Sequence, residues 1–503
     1  MPLQGGCVNA ALWLLWVAPL TAAAQAADGE GTTWAHDALA QAVVASSGIE
    51  DDFRLAQTLA EIAEIQVGVE NGTAALPILQ KAADSASKVD NESLAAWARH
   101  DVALAYVKAG DLARAESVAN GIRDARLHDA VLGAIVDARR MERDIPGALD
   151  AARRMQDAAL QGRALRSVVI AQASAGDTEA ALATARSVVH PGFNALALGD
   201  VVAAFAKEGN LGEARLLAAR IRNDQVRSDA QAEIAAAQAN MGDKDGALVT
   251  ASKIEDKFSR AGALARLATA RASHGDGGAA RELFAQAVAL AQGARGTADR
   301  KCFALVDIAR AQIAAVETPA AHETLRLALT VLPEVKRNSD HLALLAQIAP
   351  MQARVGDHAG AMATAGRAED PSLRPLLVRD VATSQAESGD VAGAVRAALS
   401  LEDRPAGAAA FFGILRVQSQ ARDSSGMHAT IETALQTVRV IHSEALKAGA
   451  LSSLAAAQLL AGDRDGALLL FDEAMKVAAQ LQSAAERAAA YARIADALAE
   501  RGR

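Results

Sequence analysis

Eight glutamines stand at one recurring place in this chain: Gln66, Gln172, Gln238, Gln312, Gln352, Gln385, Gln418 and Gln458. Each lies four residues before a turn of the kind in "EIAAAQANMGDKDGALVTA" (233–251), inside an otherwise apolar stripe. The other four such places hold Tyr106, Arg139, Phe205 and Arg271. An amide offers two donors and an acceptor, and its burial costs free energy unless they are used. Two kinds of chemistry fit. The amides can bond the carbonyls that end a helix, or a neighbouring repeat, and so hold register along a stack. Alternatively, they can form an array that recognises an extended ligand backbone. The inward direction of the stripe favours the structural role.

Catalytic chemistry has no comparable signal. The chain contains no H-E-x-x-H, G-x-S-x-G, Walker loop or C-x-x-C. "GDGGAA" (275–280) fits G-x-G-x-x-A in form, but it follows a helical run and not a strand, so it reads as a turn. The ten histidines are scattered; His274 and His358 flank turns in different repeats and are expected in solvent. Acidic residues that recur on one face of several helical runs read as a solvated rim. No enzymatic activity, catalytic residue, metal or cofactor is expected.

The elements that position these residues follow from composition. The chain has 503 residues, rich in alanine, with 3% aromatics and 11 prolines. Such a length calls for several domains or a repeat array, and such a composition for helices. No strand-forming cluster stands between turn signals. A net charge of −9 opposes a nucleic-acid partner, which needs a basic face.

The first residues, "MPLQGGCVNAALWLLWVAPLTAAAQAADGE", resemble a secretory signal peptide: an apolar run over 8–20, then an A-x-A site ending at Ala26. No Lys or Arg precedes Arg54. The expected mature chain begins at Ala27, leaves no membrane-spanning segment and is secreted or periplasmic. Cys7 leaves with the leader, so Cys302 stands alone as a packed thiol.

Internal periodicity organises the rest. Mid-repeat turns are marked by Asn71, Asp111, Asp144, Asp177, Asn210, Asp243, Asp276, Glu317, Asp357, Asp390, Asp423 and Asp463, in steps of 33, 40 or 41. Each unit reads as two helices around a "GD" turn, where Gly permits a left-handed backbone and Asp caps the second helix. Nine residues before each marker stands an aliphatic residue, from Ile62 to Leu454. Four residues after it stands Ala in eleven of twelve units, Met427 being the exception. A position that accepts only Ala is one where another backbone comes close.

These residues resemble the tetratricopeptide-repeat α-solenoids. The five long units carry the family's large-then-Ala pair on the second helix, as in Leu79 with Ala82 and Phe284 with Ala287. The seven short units depart from it, with Ala first (Ala119, Ala251) and the large residue next (Ile122, Ile254). The implied fold is all-α: a right-handed-type α-solenoid of about twelve helix–turn–helix repeats over 48–503, in 33- and 40-residue units. A short segment (27–47) precedes it, a single helix (484–501) ends it, and a bend falls near 291–340.

The resemblance also implies that a partner docks in a groove lined by the first helices. The implied lining is Trp97, His100, Leu104 and Val107 in the second unit, then Asp137, Arg140, Arg163 and Arg166. A groove Trp could anchor a partner, and the arginines could clasp a carboxylate such as a peptide C-terminus. The function expected is therefore an exported scaffold for protein or peptide partners, in the periplasm of a two-membrane bacterium. The alternative is a binding module for an envelope glycan or another extended polymer.

Overall fold

The structure, a computed structural model, describes residues 30–368, 370 and 372–499. The expected leader and its cleavage site at Ala26 lie outside them. Among the described residues there are helices and no strand, and no helix is long and apolar enough to cross a membrane.

Helix α1 (Glu30–Ser46) stands before the first complete unit. Pairs then follow: α2 (Asp52–Val69) with α3 (Gly72–Lys88), α4 (Glu92–Lys108) with α5 (Leu112–Ala119), and α6 (Ala125–Met141) with α7 (Ile145–Arg153). Next come α8 (Ala158–Ser174) with α9 (Thr178–Ser187), α10 (Pro191–Lys207) with α11 (Leu211–Ala218), and α12 (Asp224–Asn240) with α13 (Lys244–Ser252). Then α14 (Lys257–Ser273) pairs with α15 (Gly277–Gly293), α16 (Ala298–Ala314) with α17 (Thr318–Val331), and α18 (Asn338–Arg354) with α19 (His358–Gly366). The last pairs are α20 (Leu373–Glu387) with α21 (Val391–Leu399), α22 (Arg404–Gln420) with α23 (Ser424–Arg439), and α24 (Glu444–Ala461) with α25 (Arg464–Ala479). Helix α26 (Ala484–Ala499) ends the series.

The two unit lengths have a simple origin. Second helices run 8–10 residues in the short units and 14–17 in the long ones. In a short unit a buried side chain plugs the space where the helix stops: Ile122, Met155, Val188, Ile221, Ile254, Ala368 or Leu401.

The turn between the two helices recurs in eleven of the twelve complete units; in the first, Glu70 stands there at φ −118°. Eight glycines there have φ between 79° and 92°, and Arg143, Val316 and Arg422 take the same conformation at 57–63°. At Gly242, the Gly N–H donates to the Ala239 carbonyl and the Asp243 N–H to the Gln238 carbonyl, at 3.0 and 2.9 Å. This is the Schellman ending of a helix. Asp243 then caps the next helix, its Oδ1 accepting from the Gly246 N–H at 2.9 Å. The aliphatic position of every first helix is buried, and so is every second-helix Ala from Ala75 to Ala467.

The described residues form two compact units, 128–368 and 30–127 with 372–499. The stretch 291–340, where a bend was expected, lies inside the first of these. In unit 128–368 the first helices pack in succession, α8, α10, α12, α14, α16, α18. In the other unit the succession is α20, α22, α24, α26, α2, α4. It passes from α26 to α2 with no covalent link.

The last helix therefore is not single. Helix α26 pairs with α1 as extensively as the helices pair within any complete unit. Helix α26 buries Tyr491, Ile494, Ala495 and Leu498 in first-helix register, and α1 buries Ala35, Leu39 and Ala42 in second-helix register. The two ends of the chain together make a thirteenth unit.

The turns predict opposite effects of two substitutions. Val316 is β-branched and held at φ 60°, so Val316→Gly should stabilise the protein by about 1 kcal/mol. An added Cβ on Gly242 meets nothing within 4 Å, so Gly242→Ala should destabilise by about 1 kcal/mol through conformation alone. Urea unfolding midpoints should move up and down respectively.

Candidate functional site

The glutamines meet partners other than those expected. Their helix-terminal carbonyls are already occupied by the backbone N–H of the turn residue, as Asp243 does for Gln238. In four units the side-chain amide turns instead to the capping carboxylate. Gln238 Nε2 donates to Asp243 Oδ2 at 2.7 Å, and Thr250 Oγ1 donates to Gln238 Oε1 at 2.5 Å. Gln352 repeats this with Asp357 at 2.9 Å and Thr364 at 2.6 Å. Gln418 and Gln458 reach Asp423 and Asp463 at 3.3 and 3.2 Å. Where the residue is Arg, the target is the same: Arg271 to Asp276 at 3.2 Å and Arg139 to Asp144 at 4.0 Å. The clasp thus joins first helix, turn and second helix of one unit.

This clasp leaves traces in charge. The Gln238 amide and then the Gly246 N–H hold the Asp243 carboxyl below its ordinary value of 3.8. The clasp is also incomplete in places. The Oε1 atoms of Gln172, Gln312, Gln385, Gln418 and Gln458 are buried with no hydrogen-bond donor. Near Gln312 the threonine at the matching place, Thr324, donates to the Ala320 carbonyl instead. A crevice of about 10 Å³, room for one water, lies elsewhere, between Ala239, Lys244 and Arg271.

The face expected to bind is lined by first helices, and neighbouring ones are laced together across it. Gln57 on α2 donates to Asp101 on α4 at 2.7 Å, and Lys108 on α4 pairs with Glu64 on α2. In unit 128–368, Arg166 on α8 grips Asp200 on α10 with two bonds, 2.6 and 3.1 Å. Glu233 on α12 pairs with Arg266 on α14, and Arg310 on α16 donates to Gln347 on α18 at 2.6 Å. The acids Glu61, Asp101, Asp200, Glu233, Asp307 and Asp380 share one place, five residues before the glutamine position. A rim of solvated acids was expected; three of them, Asp101, Asp200 and Glu233, instead bridge adjacent first helices.

The expected site residues separate accordingly. Trp97, His100 and Leu104 fall together on α4. Trp97 stays 47% exposed, its ring edge-on to His100 with centroids 5.6 Å apart. His100 Nδ1 lies 3.0 Å from Asp101, and Leu104 is half-buried. Arg166 is not free to clasp a ligand carboxylate, because Asp200 occupies the donor fork and raises its pKa. Arg140 reaches Asp137 at 3.4 Å with its Nε unpartnered. Arg163 is exposed and has no ion pair among the described residues. Cys302 is buried, its Sγ 3.4 Å from the Ala328 carbonyl, and burial pushes the thiol up to about 12. It is a packed thiol.

Sequence reasoning missed two charged residues on this face. Glu61 on α2 is exposed by area, yet the surrounding protein desolvates it and raises its pKa; Arg493 on α26 opposes the shift, while Glu64 and Asp101 add to it. Desolvation lowers the pKa of Arg493, and Glu61 opposes that. The open side of Glu61 keeps it in touch with solvent and tempers the effect. Arg493 stands where the acids stand in other units, and its place on the last helix hides its neighbour in the sequence.

No protein-family model matches the chain, and no curated protein matches it. Solved structures do. Ton1535 from Thermococcus onnurineus NA1 is 16% identical at TM-score 0.22, over 71% of this chain and 97% of that one. The human IFIT1 dimer with PPP-AAAA is 14% identical at TM-score 0.28, over 90% and 95%. The APC/C hetero-tetramer Cut9–Hcn1 is 12% identical at TM-score 0.23, over 83% and 94%. Scores this low say nothing of ligand or partner, and the repeated helix pair and its turn decide the fold. The chain is an all-α repeat of helix–turn–helix pairs.

Two outcomes follow for this repeat. Gln238→Leu removes the bonds to the Asp243 carboxylate and the half-buried Thr250 hydroxyl, so it should lower the urea unfolding midpoint. The difference from wild type should shrink as pH falls through the folded-state pKa of Asp243, because the depressed carboxyl protonates there. Glu61 has the opposite sign. Its folded pKa lies above 4.5, so wild type should lose stability as pH rises from 4.5 through that value, and Glu61→Gln should lack this component. Urea titrations across pH 3–8 read both.

Proposed function

We propose that this repeat is a non-catalytic, exported scaffold that holds a protein or peptide partner on its first-helix face. Trp97 carries the proposal. A large aromatic ring is costly to leave in water, and residues of this type anchor interfaces. On α4 it stays 47% exposed, braced by His100, on the face that laced first helices make rigid. A rigid face with an exposed anchor loses little entropy on binding. Arg163 offers a free guanidinium for a carboxylate elsewhere on the first helices. Export follows from the apolar leader and A-x-A site in the sequence.

Photo-cross-linking from a benzoylphenylalanine at position 97, followed by mass spectrometry of the envelope fraction, tests this. A defined protein should be captured, and a Trp97→Ala, Arg163→Glu variant of equal stability should lose it in a pull-down. Capture of glycan with no protein would replace the partner class. Cross-links no different from those at an exposed second-helix position would remove the docking face.

A further inference from the structure

Helix α1 differs from every other second helix in how it is held. All others follow their own first helix through a two- or three-residue turn. Helix α1 reaches its first helix, α26, only through non-covalent contact, and residues 47–51 tie it to α2 on the other side.

The contact has unit-like chemistry. Ala35, Leu39 and Ala42 reproduce the spacing of Ala75, Leu79 and Ala82, and of Ala467, Phe471 and Ala474, and all nine are buried. Trp34 stacks on Phe471 of α25 with centroids 5.2 Å apart and planes 14° from parallel. His36 meets Glu70 at 2.7 Å beyond the end of α2. Ser452 of α24 donates to the Ile494 carbonyl at 3.0 Å, fixing α26 to the stack independently of α1. The apolar payload of α1 itself is small: three Ala, one Leu and part of a Trp.

We infer that α1 is an exchangeable helix, and that the face it covers on α25 and α26 accepts α1 of a second copy of this chain. Opening the joint breaks side-chain contacts with α26, α25 and the end of α2, and no covalent connection. Both surfaces so exposed are apolar and must be covered again. A second copy presents the helix with matching register, so the same contacts form between chains that formed within one. The exchange yields dimers, or longer chains when each copy hands its helix onward.

The joint supplies its own probe. A Cβ built on Gly48 lies 3.2 Å from the Ala484 Cβ, near the ~3.5–4.5 Å that a disulfide spans. In the full chain carrying Cys7→Ser, one preparation bears Gly48→Cys and a differently tagged one bears Ala484→Cys. They are mixed, held in urea below the main unfolding transition, returned to buffer and oxidised. Cys302 stays out of the reaction because it is buried. A disulfide joining the two tags is expected, several-fold above a control that pairs Gly48→Cys with Glu142→Cys. The double variant, Gly48→Cys with Ala484→Cys, oxidised first, should stay monomeric by light scattering under the same treatment. Reducing it should restore oligomers. Hetero-disulfide no higher than the control, with the double variant still closing within one chain, would mean that α1 docks only in its own chain and would overturn the inference. Oligomers that form equally with the joint locked would also overturn it, since another surface would then be responsible.

Discussion

A pair of amphipathic helices buries one face inside itself and leaves another that needs a neighbour. Every feature of this protein answers to that constraint. The buried Ala of each second helix lets backbones approach closely, so each pair is thin and depends on the pairs on either side. An array built this way is unsatisfied at its two ends. Here the ends meet. Helix α26 supplies a first helix, α1 supplies a second, and the joint buries the same classes of residue as any interior unit.

Within a unit, geometry is set by one turn and one polar clasp. The left-handed Gly ends the first helix, and the Schellman bonds occupy its last carbonyls. This leaves the glutamine side chain without a backbone target. It bonds the carboxylate that caps the next helix, so a single Asp is held by a backbone N–H on one oxygen and an amide on the other. An Ala-rich interior has few large side chains to specify how two helices sit. A directional bond between them supplies that specification, since misplacement strands a buried donor or acceptor.

The face along the first helices is shaped by the same economy of large residues. Charges there are mostly engaged with each other from one helix to the next, as Arg166 is with Asp200 and Glu233 with Arg266. Such a ladder stiffens the stack and neutralises it, leaving few groups to recognise anything else. Trp97 and Arg163 stand apart because the ladder does not use them.

The helical repeat, its two lengths and its turn were all legible in the residues. They rest on local rules: Ala and Leu periodicity, Gly at a left-handed turn, Asp at a cap. The inward glutamine was legible too, but not its partner. Choosing between a carbonyl and a carboxylate needs the knowledge that the carbonyl is already taken. The use of Arg166 was likewise hidden, because Asp200 lies one unit away and spacing alone does not say which acids face which bases. The joint of α1 with α26 is the largest difference. Its signal was present in Ala35, Leu39 and Ala42, at the spacing of a long unit, and in the 40-residue step that ends on Arg503. Periodicity can show that half a repeat stands at each end of the chain. Whether those halves pack together is decided by contacts between residues far apart in the sequence, and that is a property of tertiary packing.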